Sequence, residues 1–195
     1  MIRVLILGAN GTLARHTLPV LLARDRVAVT LYLRQAHRLP NPDSTRVTVV
    51  EGDVLDAARL RDAMRDQDVV YANLAGDMAR QAHVILAAMA ETRVRRLIFI
   101  SSMGIYGEVP GERYRSVLDP YRDSVRLIEA SDLDYTVLRP GWFVRAAHSQ
   151  LTLTWRDEPF IGHDIGLNLL SGLIVNLITT PGLHVRASLG VSSQP

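Results

Sequence analysis

Three small residues near the N-terminus have the spacing of a phosphate-binding turn. Gly8 ends a short apolar run, Gly11 precedes a helical pattern, and Ala14 lies three residues further on. Glycine permits a sharp turn at the first position, and at the second it lets a phosphate approach the backbone because no Cβ intervenes. The amides and the positive dipole end of the following helix then favour the pyrophosphate of a dinucleotide. The alternative is a purely structural tight turn. The contacts expected from this segment are Gly8, Asn10, Gly11, Thr12 and Leu13.

Arginine, rather than an acidic residue, ends the second apolar run. Arg34 closes that run, and Arg38 follows about one turn later. NAD-specific sites place Asp or Glu here to hold the ribose hydroxyls. Guanidinium groups instead suit the additional 2′-phosphate of NADP, which arginine binds in bidentate fashion. Arg34 and Arg38 therefore predict NADP(H) as the cofactor, the alternative being that both are ordinary surface arginines.

Two further turns follow the third and fourth apolar runs, where ligands of open α/β sheets bind. Asp53 and Val54 follow the third run, and Asp53 is expected to hydrogen-bond the adenine amino group, to cap the helix predicted to begin near residue 56, or both. Asn73, Leu74 and Ala75 follow the fourth run. They are expected to line the adenosine or the nicotinamide ribose, unless they form an ordinary turn.

The elements that must position these residues alternate along the first 140 residues. Short apolar runs, continuous in hydrophobicity as strands buried on both faces should be, are separated by longer amphipathic stretches. This alternation implies right-handed βαβ units and a parallel sheet covered by helices. Pro19 is expected to kink or loosen the first helix. The predicted strands are residues 4–7, 27–33, 47–50, 69–73, 97–101 and 135–138, and the predicted helices are residues 11–24, 56–66, 77–93 and 119–131.

The pattern changes after Pro140. It predicts irregular chain with one strand near residues 151–155, a helix over 163–179 and a last strand over 183–190. We therefore expect an α/β fold, a Rossmann-like doubly wound parallel sheet with a small C-terminal cap. The 195 residues would form a single domain, with residues 1–140 as the dinucleotide-binding core and residues 141–195 as the cap or substrate region. The cap is expected to close over the site or to form a contact in a homodimer.

Composition excludes several classes of protein and of chemistry. With 48% apolar and 22% charged residues, the chain can bury a sizeable core. Cysteine is absent, which excludes a thiol nucleophile and a cysteine zinc site. Lysine is absent as well, which excludes a P-loop and Schiff-base chemistry. The histidines show no metal-binding spacing, so no metal is expected.

Charge and hydropathy point away from nucleic acid and membranes. A net charge of only +2 gives the chain little attraction toward nucleic acid or toward anionic lipid. No apolar run reaches the ~18 residues of a membrane span, and the N-terminus lacks the layout of a signal peptide. We expect a cytoplasmic protein whose partner is a small-molecule substrate, with no nucleic acid and no membrane.

Taken together, these residues resemble the short-chain dehydrogenase/reductase superfamily, and most closely its atypical branch, which is NmrA-like and similar to flavin and biliverdin-IXβ reductases. The resemblance implies an NADPH-binding Rossmann protein in which Ser101 and Pro140 also lie at the cofactor. It covers residues 1 to about 142, and the C-terminal region matches only loosely. The stretches that carry it are residues 8–14, 33–34 with Arg38, 52–54, 100–107 and 131–140.

The sequence departs from this superfamily in its catalytic motif. Most members use a serine together with Tyr-x-x-x-Lys, in which the lysine lowers the pKa of the tyrosine. Here the nearest match is Tyr121 with Val125 in place of the lysine. Ser102 stands at the serine position, and Tyr106 follows four residues later. Both are the candidate catalytic residues. The alternatives are a turn-stabilising hydroxyl for Ser102 and a packed loop aromatic for Tyr106.

Three functions remain open at this point. The first is an NADPH-dependent reductase of a small conjugated acceptor, such as a quinone or a flavin, which needs no strong general acid. The second is a non-catalytic NADP(H) sensor of the NmrA-like type, and the third is a sugar-nucleotide epimerase or related enzyme. Trp142 and Phe143 would form an apolar wall for a planar substrate or ordinary core. His148 and His163 are candidates for a proton relay.

Overall fold

The computed structural model describes residues 1–39 and 41–194, and of Arg38 the backbone alone. In these residues, eight strands form one sheet in the order β3-β2-β1-β4-β5-β6-β10-β8. The strands are β1 (Ile2–Leu7), β2 (Val27–Leu33), β3 (Val47–Glu51), β4 (Val69–Ala72), β5 (Arg96–Ile100), β6 (Asp134–Pro140), β7 (Trp142–Val144), β8 (Gln150–Thr154), β9 (Asp164–Gly166) and β10 (Ala187–Gln194). The helices are α1 (Thr12–Leu22), α2 (Ala57–Met64), α3 (Met78–Thr92), α4 (Asp119–Glu129) and α5 (Leu167–Thr179).

The strand order reverses direction at β1, and this reversal creates the place where a ligand binds. The chain moves outward from β1 to β2 and β3, then returns to the other side of β1 with β4, β5 and β6. All these pairs are parallel, so their carboxyl ends meet at one edge of the sheet. A crevice opens at such a switch point because the two adjacent connections leave β1 and β4 on opposite faces of the sheet.

Helices cover both faces of the sheet, and each face has its own apolar core. One core contains the inner faces of α1 and α5, which pack against each other. The other contains the inner faces of α2, α3 and α4. The inner strands contribute alternate residues to both cores, which explains why their sequences are continuously apolar. The predicted doubly wound α/β fold is confirmed.

The region after Pro140 differs from the predicted cap. β10 pairs in parallel with β6, and β8 pairs antiparallel with β10, so both extend the main sheet. α5 completes a helical layer because its inner face is almost entirely apolar and packs on α1. At the ligand edge lie β7 and β9, which form a two-stranded ribbon. α1 also continues through Pro19 without a break in its assigned range.

The longest helix in the described ranges is α3, with 15 residues. Among those residues, no helix combines the length and the apolar character needed to cross a membrane.

Candidate dinucleotide site and adjoining cavity

The turn after β1 is packed tightly against Asn73, and one of its positions admits only glycine. Gly8 has a φ of +74°, and a Cβ built there would lie 2.1 Å from the carbonyl oxygen of Asn73. A Cβ on Gly11 would lie 2.5 Å from Nδ2 of Asn73. The amides of Gly8 and Ala9 both donate to the carbonyl of Tyr32, at 3.1 and 3.4 Å, which fixes the turn against β2. The backbone at the start of α1 therefore lies directly at the crevice.

The first turn of α1 has the polar groups that a phosphate needs. Gly11 is the N-cap, and within the described chain no side chain caps this helix. Its first turn also carries no acidic residue. Oδ1 of Asn10 is buried without a hydrogen-bond partner among the described residues. Uncapped amides at a positive helix end, together with an unpartnered amide side chain, fit a bound pyrophosphate.

A crevice of about 970 Å³ extends from this helix across the ends of β1 to β4. It brings together eleven of the fourteen predicted cofactor contacts: Gly8, Asn10, Gly11, Thr12, Leu13, Arg34, Asp53, Val54, Asn73, Leu74 and Ala75. The same crevice is also lined by residues that the sequence did not single out as cofactor contacts: Tyr32, Leu33, Gln35, Leu55, Asp77 and Gln81. The volume is in the range of cofactor sites.

Of the other three predicted contacts, two are not in the lining of the crevice, and the third is not described. The side chain of Arg38 is outside what the structure describes. Ser101 is 5% exposed, and its hydroxyl has no hydrogen-bond partner among the described residues. Pro140 lines a neighbouring cavity rather than the crevice itself.

At the expected adenine end, Asp53 does not cap a helix. The N-cap of α2 is Asp56, whose carboxylate accepts from the amide of Arg59 at 3.1 Å. The carboxylate of Asp53 accepts from the amide of Leu55 at 2.9 Å, and its carbonyl accepts from the Tyr32 hydroxyl at 2.9 Å. Burial and the nearby Asp56 raise the pKa of Tyr32 to about 12, so this phenol remains a donor at neutral pH. Asp53 is exposed at the crevice and free to accept a further bond from a ligand.

A second cavity, of about 400 Å³, lies over the ends of β5 and β6. Trp142 lines this cavity, whereas the next residue, Phe143, lines the dinucleotide crevice. Their side chains are 56% and 43% exposed, which is unusual for large aromatic residues on a folded chain. The two spaces are therefore bordered by consecutive residues of β7.

Ser102 and Tyr121 both line the second cavity. The Ser102 hydroxyl donates to the carbonyl of Met103 at 3.1 Å, which is long for an O–H···O bond. A weak bond of this kind leaves the hydroxyl free to turn toward a ligand oxygen. The sequence identifies Tyr121 only as the nearest match to a motif, yet the structure places it in the lining of the same cavity as Ser102. Val125, at the lysine position, is fully buried in the core.

Tyr106 is engaged in a network outside both spaces. Its hydroxyl lies 2.6 Å from Oε1 of Glu129, to which it donates, and 3.1 Å from Oγ of Ser188. The guanidinium groups of Arg139 and Arg156 lie 5.0 and 4.8 Å from the centre of its ring. Burial and Glu129 raise the pKa of Tyr106 to about 12. These contacts favour the alternative of a packed loop aromatic over a catalytic role.

The loop that carries Ser102 is fixed by a buried ion pair. Arg139, which is 0% exposed, pairs with the carboxylate of Glu108, whose side chain is 5% exposed. The same carboxylate accepts from the amides of Gly104 and Tyr106, at 3.0 and 2.9 Å. Arg139 also donates to the carbonyl of Trp155 at 3.1 Å. One charged pair thus ties the loop after β5 to the end of β6.

The two histidines considered for a proton relay have local partners instead. Nδ1 of His148 lies 2.8 Å from Oγ of Ser193, and Nδ1 of His163 lies 2.7 Å from the carboxylate of Asp164. Neither histidine borders either space as the described residues define them. Across residues 1–39 and 41–194, no group of three acidic or histidine side chains is arranged to hold a metal ion.

Comparison with known proteins agrees with this geometry. A protein-family model described as NAD(P)H-binding matches residues 8–181. A Rossmann-fold NAD(P)-binding family protein from Shigella flexneri is 39% identical, with a TM-score of 0.88 over 99% of this chain and 94% of that one. A short-chain dehydrogenase/reductase from Veillonella parvula, solved in complex with NADP, is 26% identical, with a TM-score of 0.89 over 98% of this chain and 94% of that one.

A curated sequence relative is longer than this chain. Phenylcoumaran benzylic ether reductase PT1 from Pinus taeda is 27% identical over 176 residues. The match covers 82% of this chain and 56% of that protein, so this chain spans little more than half the length of that relative. Together, the family model and the solved structures confirm the resemblance to the short-chain dehydrogenase/reductase superfamily.

Proposed function

Because the chain belongs to the NAD(P)H-binding family, we propose that it is an oxidoreductase that uses NADPH to reduce a small conjugated acceptor, such as a quinone or a flavin. The Pinus taeda relative is named as a reductase, and the Veillonella parvula relative binds NADP in its solved structure. Both facts support an NADPH-dependent reduction. The acceptor class is our inference from the cavity beside the crevice.

The residues of the crevice fit the parts of NADPH in order along the sheet edge. The uncapped start of α1 and Asn10 would hold the pyrophosphate. Arg34 is exposed at the crevice and would bind the 2′-phosphate, while Asp53 would accept a bond from the adenine amino group. Asn73 and the residues after it line the path toward β5.

One arrangement carries the proposal: the cavity that contains Ser102 and the crevice are lined by consecutive residues of β7, Trp142 and Phe143. A dinucleotide extended from the start of α1 past β4 would place its nicotinamide end near these two residues. An acceptor in the second cavity would then face the nicotinamide. When bound, NADPH supplies a hydride there.

The protein itself needs to bind, orient and exclude water. Trp142 offers a flat apolar wall for a planar ring. The Ser102 hydroxyl can leave its weak bond with Met103 to donate to a carbonyl oxygen of the acceptor. Reduction of a quinone takes up one hydride and one proton, and solvent can supply that proton to the anionic product oxygen. The reaction therefore proceeds without a Tyr–Lys pair.

The test follows the loss of NADPH absorbance when the protein is mixed with NADPH and a panel of quinones, flavins and aldehydes. We expect turnover of conjugated acceptors. Ser102→Ala should lower kcat by about five-fold, the worth of one hydrogen bond, and should leave the Kd for NADPH unchanged. Ser44→Ala, at an exposed serine before β3, is the matched control and should keep full activity.

Tight binding of NADPH without turnover of any acceptor would contradict the reductase and favour an NADP(H) sensor. One observation supports that second candidate. The lysine position of the catalytic motif is occupied by Val125, which is fully buried, so the lysine that assists the tyrosine in most of the superfamily is missing here. A sensor would need only the crevice and a surface that responds to its occupancy.

A further inference from the structure

The lining of the second cavity combines two kinds of side chain. Some are apolar or aromatic, and they include Met103, Leu118 and Trp142. The charged ones come from the loop between β5 and α4, which contributes Arg113 and Arg115 together with Glu112. Two guanidinium groups against one carboxylate give the lining an excess positive charge. A neutral quinone would have no partner for that charge.

Both arginines lie on the part of the loop that borders the cavity. Residues 112–115 have no helical or strand assignment, and Arg113 and Arg115 both line this space. Both residues are exposed. An anionic group in the cavity would therefore be bordered by two arginines that are separated by one residue in the chain.

Both arginines are also available for a ligand. Among the described residues, neither guanidinium has a hydrogen-bond or ion-pair partner. The carboxylates nearest in sequence are already engaged: Asp119 accepts from Arg122 at 2.9 Å and from the Tyr114 hydroxyl at 2.7 Å, and Asp123 pairs with Arg122 at 2.9 Å. The two guanidinium groups at the cavity are therefore free to bind an anionic group of a ligand.

We propose that the acceptor carries an anionic group, a carboxylate or a phosphate, which Arg113 and Arg115 bind while its conjugated ring packs against Trp142. This inference rests on the proposed function, because it names the class of acceptor for that reaction. Guanidinium groups bind both anions through paired charged hydrogen bonds. The anionic group would fix the ring in the cavity with its reducible atoms toward Phe143 and the crevice.

Matched pairs of acceptors test the proposal. Riboflavin and FMN share one ring system and differ by a phosphate, and menadione and a carboxyalkyl menadione differ by a carboxylate. Binding is measured by calorimetry to protein saturated with NADP⁺, which has no hydride to transfer. We expect at least one anionic member to bind about ten-fold more tightly than its neutral partner, the worth of one charged hydrogen bond. The pair that shows the difference identifies the anion as phosphate or carboxylate.

Variants assign that preference to the two arginines. The Arg113→Gln/Arg115→Gln protein should bind both members of each pair as weakly as the neutral one, with unchanged affinity for NADPH. Arg24→Gln, at an exposed arginine between α1 and β2, should keep the preference. Equal binding of both members by the wild-type protein, or a preference that survives in the double variant, would overturn the proposal. Preferential binding without any turnover would instead refute the reductase and keep the anion site.

Discussion

Replacing Glu108 by glutamine should destabilise the protein strongly, because it leaves a buried charge without its partner. Arg139 is 0% exposed, and the Glu108 side chain is 5% exposed, so water cannot replace the lost carboxylate. Glutamine keeps the shape of the side chain but turns one acceptor into a donor. The three donors that now share the carboxylate are the Arg139 guanidinium and the amides of Gly104 and Tyr106.

The magnitude follows from burial. Breaking one side of a buried ion pair costs about 3–5 kcal/mol, and the lower end applies where some hydrogen bonds survive, as they do in Glu108→Gln. For a chain of 195 residues, about 3 kcal/mol corresponds to a fall in Tm of roughly 6–12 °C. The matched control is Asp132→Asn, which breaks the pair between Arg95 and Asp132, whose side chains are 54% and 87% exposed. An exposed pair contributes only about 0–1 kcal/mol.

Urea unfolding of the two variants and of the wild-type protein measures this difference. Arg139→Met in the Glu108→Gln background should recover part of the loss, because it removes the uncompensated charge. If Glu108→Gln destabilises the protein no more than Asp132→Asn, or if the double variant is less stable than the single one, the reasoning about this buried pair is refuted.

Three other changes test the crevice and its surroundings. Arg34→Ala should weaken NADPH binding by about 1.5–3 kcal/mol, the worth of a charged hydrogen bond. Titrations of both cofactors should show that NADH binding is nearly unchanged. Equal losses for NADPH and NADH would refute the 2′-phosphate contact. Gly8→Ala should destabilise the protein more than Gly107→Ala in urea unfolding. Both positions have positive φ, which costs alanine about 1–2 kcal/mol. Only the Cβ at Gly8 meets a backbone oxygen, at 2.1 Å, whereas a Cβ at Gly107 has nothing within 4 Å. The pKa of Tyr106 is raised from 10.0 to about 12, so its contribution to stability is complete below pH 10 and is lost as the pH rises through 12. Tyr106→Phe should therefore lessen the fall in unfolding free energy over this range. An identical fall in both proteins would contradict the raised pKa of Tyr106.

The sequence predicts the sheet well where its strands are buried on both faces. The first six strands are continuous apolar runs, and each lies within a residue or two of its predicted range, as β2 (Val27–Leu33) shows. β8 has the different pattern of an edge strand, in which Leu151 and Leu153 pack against the core and polar residues alternate with them. That alternation was a signal for a sheet strand rather than a cap.

β10 shows why the end of the sheet was harder to predict. Both of its faces are buried, and they contain Ser188, Ser192 and Ser193, so the sequence does not show a continuous apolar run. Each serine hydroxyl is satisfied by a partner distant in sequence; Oγ of Ser193, for instance, accepts from the amide of Gly166 at 2.8 Å. Hydrogen bonds of this kind leave no local pattern, because the partner is specified only by the fold. The predicted strand therefore ended at residue 190, while β10 continues to Gln194.

The two halves of the candidate site, the crevice and the second cavity, also differ in how far the sequence predicts them. The crevice lies at the ends of the strands, and Gly8 is required by its close approach to the backbone of Asn73, so the turns after the apolar runs predicted most of the lining residues. The second cavity depends on side chains from the loop between β5 and α4 and from Trp142, where no periodicity constrains the sequence. Substitutions in that loop can therefore alter acceptor binding without disturbing the dinucleotide end. For this reason, the affinity for NADPH is the right internal control for every variant of Arg113 and Arg115.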